Sequence, residues 1–372
     1  MRRIKPYIHQ KPDWPTLKWD NNALLMLLGE VRNSQGKIVG KMEALGFDFK
    51  REAVLNTLTL DVIKSTEIEG EIFNTEEVRS SLAKRLGMTI NNPVHSGRDV
   101  DGMVDLLLDA TTKFNSKLTV NRLFNWHCSL FPTGKSGMYN ISVGKWRVDS
   151  TGPMQVVSVA LGKEKVHFEA PHSDSVETEM AHFVKWVNTN QNIDPVIKAG
   201  VAHLWFVTVH PFEDGNGRIS RALTDLLLAR ADGISERYYS MSSQIRLQRR
   251  EYYKILEKTQ QGGLDVTQWL MWFLDCLLNS LKASNVLLEK VLFKHHFWNK
   301  YSTSVLNQRQ VTMLNKLLNG FTGKLTTSKW AKITKCSSDS ALRDIQSLIK
   351  FGILQKEAAG GRSTNYELVG VV

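Results

Sequence analysis

The chain has 372 residues, a formal net charge of +11, and 42% hydrophobic against 23% charged residues, which is ordinary globular composition. This composition excludes wholesale disorder, and 25 glycines and 9 prolines are too few for a fibrous or low-complexity protein. The length favours two or three domains, and three scattered cysteines predict neither a disulfide framework nor a zinc finger but favour a reducing compartment.

The hydropathy pattern predicts no membrane association. The longest apolar stretch, Trp269 to Leu278, contains Asp275 and is too short to cross a bilayer. The first fifteen residues, MRRIKPYIHQKPDWP, lack the apolar core of a signal peptide. We therefore expect a cytoplasmic protein.

Apolar spacing and capping residues predict a mainly α fold. Asn74 or Thr75 opens one helix, and Asp194 followed by Pro195 opens a helix that is apolar nearly all round. Turn residues around Val-rich runs at 142–170 predict a hairpin, the only strand region in the first 300 residues. The predicted helices are one from about residue 21, then 51–68, 75–86, 97–115, 119–131, 175–190, 195–209, 217–231, 247–260 and 266–295.

The last 70 residues follow another pattern. Helices at 308–318, 327–334 and 338–350 precede strands at 353–354 and 366–368, with Gly360-Gly361 as the turn between them. Three short helices and a two-stranded wing describe a winged helix-turn-helix. Residues 300–372 hold 11 Lys and Arg against 4 Asp and Glu, which indicates either a nucleic-acid surface or an ordinary basic face.

The segment HPFEDGNGRISR, residues 210–221, carries the chemistry. Its two glycines let the backbone approach a ligand, and the free N–H groups of the helix that follows form an anion site. Arg218 and Arg221 lie on one helical face and suit phosphate oxygens, while Asp214 can hold Mg²⁺ and His210 can take a proton. The stretch therefore predicts a nucleotide phosphate site, and it is not a P-loop.

The same segment resembles the Fic-family signature, HxFx(D/E)GNGRxxR, with every specified position present. The resemblance implies an all-α core with a β-hairpin flap, a protein adenylyltransferase that uses ATP and Mg²⁺, and pairing into a homodimer. It divides the chain into an N-terminal helical region at 1–95, a Fic catalytic domain at 96–295 and the winged helix at 300–372. The 145–170 hairpin resembles the flap, whose strand edge could dock a target segment.

The resemblance implies a role for each signature residue. His210 would be the general base, Asp214 would bind Mg²⁺, and Arg221 would lie nearest the γ-phosphate. Tyr252 and Tyr253 would line the adenine pocket or, alternatively, belong to the core. The ATP-binding residues that it implies are Glu69, His210, Gly215, Asn216, Gly217, Arg218, Ile219, Ser220, Arg221, Tyr252 and Tyr253.

Upstream, Ser65, Glu69 and Gly70 match the inhibitory pattern (S/T)xxxE(G/N) of the same family. Ser65 and Glu69 share a helix face, and Gly70 permits the helix to end. The resemblance implies that Glu69 neutralises Arg221 and occupies the space of the γ-phosphate, so that ATP binds in a non-productive pose. The neighbouring acids, Glu67 and Glu71, are predicted to be solvated.

Two alternatives stay open beside a self-inhibited transferase that modifies a Tyr, Thr or Ser hydroxyl of a target protein, itself included. One is a DNA-binding regulator in which the winged helix binds DNA and the Fic part senses nucleotide. The other is the reverse enzyme, which removes AMP from a modified protein with the same residues. The other histidines are predicted to be core or surface residues, because His203 and His210 have no third metal ligand nearby.

Overall fold

The computed structural model describes residues 6–43, 46–90, 92–149, 152–160, 163–189, 192–301, 306–318, 321, 323–357 and 364–369. The chain folds into two compact units, Met1–Asn285 and Val286–Val372. The predicted region 1–95 and most of the predicted domain 96–295 fall together in the first unit. The domain boundaries themselves stay predictions.

The first unit is mainly α, as predicted. A 3-10 turn at Ile8–Gln10 precedes the first helix. The helices are α1 (Asn21–Glu43), α2 (Phe47–Glu69), α3 (Thr75–Arg85), α4 (Arg98–Thr112), α5 (Val120–Leu130), α6 (Ser173–Asn188), α7 (Pro195–Val209), α8 (Asn216–Asp232), α9 (Met241–Leu247), α10 (Arg249–Gln260) and α11 (Thr267–Lys300), which continues into the second unit.

The predicted hairpin is present, but a second, smaller one was missed. Strands β3 (Gln155–Ala160) and β4 (Lys163–Glu169) pair antiparallel, with an irregularity between Val156 and Val157. Strands β1 (Lys135–Ser136) and β2 (Tyr139–Asn140) pair around Gly137, whose φ is 55°. Two residues per strand are too few to give an alternating pattern, so the prediction of a single strand region was wrong.

The predicted helix at 247–260 is present as α10, and the short helix α9 before it was not predicted. Ser240 caps α9 by accepting a hydrogen bond from the Ser243 N–H at 3.0 Å. Gln248, at φ −105° and ψ 30°, interrupts the helical run between α9 and α10. The sequence contains no Gly or Pro at this point, so the usual signal of a helix break is absent.

Helices α7 and α8 form the centre of the first unit. The Asp194 side chain accepts from the Val196 N–H at 2.8 Å and Pro195 is the first helical residue, as predicted for α7. Two hydrogen bonds through His203 then join α10, α7 and α8. The Tyr252 hydroxyl donates to His203 Nε2 at 2.9 Å, and His203 Nδ1 donates to the Thr224 hydroxyl at 2.8 Å. Burial lowers the pKa of His203 to about 3, so it is a neutral core histidine, as predicted.

Helix α2 is a core element in spite of its position near the N-terminus. Leu55, Leu58 and Val62 are buried along it. Asp61 on the same helix is also buried and accepts hydrogen bonds from the Ser240 hydroxyl and the Ser242 N–H. The helix ends at Gly70, whose left-handed φ of 90° suits glycine.

The second unit contains the predicted elements in the predicted order. These are α12 (Gln308–Leu318), α13 (Thr327–Thr334), α14 (Ser338–Lys350), and the antiparallel strands β5 (Leu354–Lys356) and β6 (Tyr366–Leu368). Trp330, Ile345 and Leu348 lie in their shared core. The predicted turn at Gly360-Gly361 lies outside the described residues. Across the described ranges, none of the helices is both long enough and apolar enough to cross a membrane.

Candidate nucleotide-phosphate site

The signature forms the loop between α7 and α8. His210 ends α7 in a left-handed conformation, with φ 52° and ψ 57°, and Gly215, with φ 79°, precedes the first residue of α8. The Asn216 side chain donates to the Phe212 carbonyl at 2.8 Å and accepts from the Phe212 N–H at 3.0 Å. The asparagine therefore fixes the loop with its side chain, and the N–H groups at the start of α8 remain for an anion.

His210 has the protonation state of a general base. Its Nδ1 lies 3.3 Å from the Val207 carbonyl, which can only accept, so Nδ1 carries the proton and Nε2 keeps a lone pair. Burial, together with the nearby Arg147 charge, lowers its pKa to about 4 against the opposing effect of the hydrogen bond to the Val207 carbonyl. The imidazole is therefore neutral at pH 7.

Two buried side chains hold this loop in place. Arg147, 2% exposed, donates from Nε to the His210 carbonyl at 2.8 Å and also bonds the carbonyls of Pro171 and Val209. His127 donates from Nε2 to the Asp214 carbonyl at 3.2 Å, since its Nδ1 accepts from the Gly144 N–H. Arg147 thus covers the end of α7 that carries His210.

Glu69 lies within the predicted anion site. Its carboxylate contacts Arg221 Nη2 at 2.8 Å, and a Cβ built on Gly217 would come within 2.2 Å of the same oxygen. Ser65 accepts from Arg221 Nε at 2.8 Å through its hydroxyl and from Nη2 at 2.9 Å through its carbonyl. The structure therefore brings together Ser65, Glu69, Gly217 and Arg221. The resemblance implied the contact of Glu69 with Arg221.

Glu71 is exposed, as predicted, with 45% of its side chain accessible, but its carboxylate also pairs with Arg218, which the sequence did not predict. Its carboxylate oxygens lie 2.9 and 3.2 Å from Arg218 Nη1. Arg218 is 5% exposed at its side chain, and its guanidinium lies over the Phe131 ring, 5.0 Å from the centroid. A buried guanidinium needs an anion, and the chain leaving α2 supplies one. Glu67 was also predicted to be solvated, but its side chain is only 20% exposed and pairs with Lys64 at 2.6 Å and with Arg246 at 3.3 Å.

Asp214 is placed where a metal ion could be held beside phosphates. Its side chain is 43% exposed, and Arg218 Nη2 lies 3.9 Å away. One oxygen accepts from the Ser136 hydroxyl and the other from the Gly215 N–H at 2.6 Å. One carboxylate is a sufficient protein ligand for Mg²⁺ when phosphates and waters supply the rest, so the residue fits the predicted ion. Within the described ranges, no group of three or more metal-ligating side chains occurs.

The remaining predicted residues occupy different environments. Ile219 is fully buried, and the Ser220 hydroxyl donates to the Gly217 carbonyl at 2.8 Å, so both serve the structure of α8 with their side chains. Tyr252 is 2% exposed and belongs to the core through its bond to His203. Tyr253 is half-buried, and the Arg249 guanidinium lies 5.1 Å from its ring centroid.

The structure adds residues that the sequence did not single out. Arg147 stood in the flap segment as part of GlyLysTrpArg, but nothing in its spacing showed that it bonds the carbonyl of His210. His127, Ser136 and Glu71 carry no motif of their own. They reach the site through tertiary packing, which a single sequence does not reveal.

Comparison with known families agrees with this geometry. Residues 117–228 match the Fic/DOC family, and residues 7–88 match a domain of unknown function, DUF4172. The chain therefore carries a Fic/DOC family domain, and this domain includes the loop from His210 to Arg221.

Individual relatives support the same fold. The chain is similar to the protein adenylyltransferase Fic of Aedes aegypti, 28% identical over 225 residues that cover 59% of this chain and 40% of that protein. The fold is similar to that of a Fic family protein from Desulfovibrio desulfuricans (TM-score 0.51, 20% identity, 94% of this chain and 97% of that chain). It is also similar to a Fic domain containing signaling protein from Bacteroides thetaiotaomicron (TM-score 0.50, 18% identity, 72% and 96%).

These matches confirm the prediction of a mainly α, Fic-like core with a hairpin. The chain spans less than half the length of the first three curated relatives, with 40%, 34% and 46% of them covered.

Proposed function

We propose that this chain is a protein adenylyltransferase that transfers AMP from ATP to a Tyr, Thr or Ser hydroxyl of a target protein, and that Glu69 restrains it. The observation that carries the proposal is the state of Arg221. Arg221 is buried beside the start of α8, and Glu69 forms an ion pair with it. The Arg221 Nη1 atom has no hydrogen-bond partner among the described residues. Such an atom is available for a phosphate oxygen.

The chain's own residues account for the transfer step. His210 Nε2 accepts the proton of the target hydroxyl as its oxygen attacks the α-phosphorus of ATP. The bond between the α-phosphorus and its bridging oxygen breaks, and pyrophosphate leaves with the electron pair. Arg218, Arg221 and the N–H groups of α8 hold the phosphates in position and stabilise their charge. Mg²⁺ held by Asp214 would neutralise further phosphate charge when bound.

Glu69 would restrain this reaction by position. Its carboxylate occupies the space beside Gly217 and Arg221 that a terminal phosphate would take. ATP would then bind with its phosphates displaced and its α-phosphorus out of line for attack. Ser65 keeps Arg221 in the orientation that Glu69 needs.

The β3–β4 hairpin is the proposed docking place for the target. Val157 and Val166, which are partners in the register, are 42% and 41% exposed. A target segment added along this hairpin by main-chain hydrogen bonds would place its hydroxyl near His210. Pairing into a homodimer and a cytoplasmic location stay predictions.

The test incubates the Glu69→Gly variant and Mg²⁺ with either α-labelled or γ-labelled ATP, in one series without and in another with cell lysate. AMP transfer requires that protein gains label from α-labelled ATP and none from γ-labelled ATP. Label from the γ position alone would replace the proposal with phosphoryl transfer. No label from either, with ATP binding intact, would reject the forward reaction, and release of AMP from an adenylylated protein would then establish the reverse enzyme.

The C-terminal unit supports a second function, and we propose that it binds duplex DNA. Helices α13 and α14 are joined by a turn at Lys335, whose φ is 51°. The buried side of α14 packs into the core, while Leu342, Arg343, Gln346 and Lys350 form one exposed stripe. An exposed helix face with two basic side chains, after such a turn, suits the major groove.

Salt dependence measures this second function directly. We expect the full chain to bind a random duplex, followed by fluorescence anisotropy, with an affinity that falls steeply as salt rises. The double substitution Arg343→Ala/Lys350→Ala should reduce the slope of log K against log salt by about 2, since each phosphate contact contributes about 0.9. Lys316→Ala on α12 is the control for lost charge. No binding at low salt would reject the DNA surface and leave a protein-docking role.

A further inference from the structure

Glu71 lies just beyond the inhibitory helix, yet it enters the same site as Glu69. Two residues apart on a helix would point to different sides. Gly70 lies between them with φ 90° and turns the chain out of the helical path. As a result Glu69 contacts Arg221 at 2.8 Å and Glu71 contacts Arg218 at 2.9 Å.

The pair between Glu71 and Arg218 differs from an ordinary surface ion pair. The Arg218 side chain is 5% exposed, and its Nε has no hydrogen-bond partner in the part of the chain that is described. Asp214, the proposed metal ligand, lies 3.9 Å from its Nη2. Arg218 is therefore a buried cation on the side of the phosphate site nearest to Asp214, and Glu71 pairs with it where a phosphate could bind.

We propose that Glu71 is a second inhibitory carboxylate, which occupies the phosphate subsite of Arg218 and lowers the affinity for any nucleotide with a β-phosphate. The inference rests on the proposed function, because it takes the site to bind ATP. Glu69 and Glu71 then have separate effects. Glu69 displaces the terminal phosphate and so acts on ATP alone, whereas Glu71 competes with ADP and ATP alike.

The surroundings of Glu71 allow its carboxylate to leave. Its side chain is 45% exposed, against 29% for Glu69. It also lines a cavity of about 790 Å³ that Arg218, Lys135, Ser136 and Phe131 share. The carboxylate can therefore withdraw from Arg218 into this space by side-chain rotation, without movement of α2.

The experiment measures dissociation constants for ADP and ATP by calorimetry, with EDTA present to remove the metal from the comparison. The proteins are the wild type, Glu71→Gln, Glu69→Gly and the matched control Glu67→Gln. We expect Glu71→Gln to tighten both nucleotides by about fivefold, which is the effect of releasing one partly exposed ion pair. Glu67→Gln should leave both constants unchanged, because its carboxylate binds Lys64 and Arg246.

The outcomes separate this inference from the proposed function. If the wild type and Glu69→Gly bind nucleotide but Glu71→Gln matches the wild type for both ligands, the second carboxylate is rejected and the transferase proposal stands. An effect of Glu71→Gln on ATP alone would also reject it, because Glu71 would then act like Glu69. If no variant binds either nucleotide, the second carboxylate is rejected, and transfer from α-labelled ATP in the presence of Mg²⁺ decides the transferase proposal separately. Melting temperatures of the four proteins show that each variant is folded.

Discussion

Replacing Glu69 with glycine is expected to raise AMP incorporation from ATP by about ten- to a hundredfold, which corresponds to about 1.4–2.8 kcal/mol in the barrier. The physical reason is the position of its carboxylate, which lies 2.8 Å from Arg221 Nη2 and against Gly217. Removing it frees a buried arginine for the terminal phosphate, and Ser65 still holds Arg221 Nε. The substitution falls on the last residue of α2, where the entropic cost of glycine is small.

The measurement is the initial rate of α-label incorporation under saturating ATP. Glu69→Gln keeps the shape and removes the charge, so it should give an intermediate rate. Glu67→Gln on the same helix removes an equal charge outside the site. A rate for Glu69→Gly equal to or below that of the wild type would reject the inhibitory role.

Replacing His210 with alanine in the Glu69→Gly background is expected to lower transfer by about a thousandfold, within the usual range for a general base. Its Nε2 holds the lone pair that accepts the hydroxyl proton, and no such group remains in alanine. Because His210 has φ 52°, alanine also strains the backbone there. His210→Asn is the matched control, since asparagine tolerates this conformation and supplies no base of comparable strength.

The readouts are the rate of α-label transfer and the dissociation constant for ATP. Transfer should be lost in both His210 variants while ATP binding is retained. The pH profile adds a second check, since the His210 pKa is lowered to about 4 by burial. The base is protonated as pH falls through that value, so the rate should decline near pH 4 and not near the ordinary 6.5. Retained transfer in His210→Asn would remove the histidine from the mechanism.

The sequence predicted what depends on spacing along one element. The Asp194-Pro195 start of α7, the position of Ser65 and Glu69 on one face of α2, and the order of elements in the second unit all follow from local patterns. Each of these patterns lies within one element or between neighbours along the chain, so no tertiary information is needed. The contact of Glu69 with Arg221 joins residues far apart in the sequence, and only the resemblance to the Fic family implied it.

The sequence did not predict what depends on packing between elements. Glu71 was predicted to be solvated, and its pair with Arg218 was missed because it depends on the turn at Gly70, which takes the chain out of the helical path. Tyr252 is bound to His203 in the core although an aromatic side chain at that distance could equally line a purine pocket. Arg147 lies far from His210 in sequence, and only the fold brings its guanidinium to that carbonyl.

Helix α2 belongs to the core and also carries Glu69 into the phosphate site, and this double role limits how the site could be freed. Leu55, Leu58 and Val62 commit the helix to the core, so it cannot detach without partial unfolding. Substitutions along most of its length should therefore reduce the amount of folded protein. Only substitutions from Glu69 to Glu71 can free Arg218 and Arg221 at little cost in stability. Few single substitutions would therefore free the site, and many more would unfold the protein. Loss of the proposed inhibition by a random substitution should be rare.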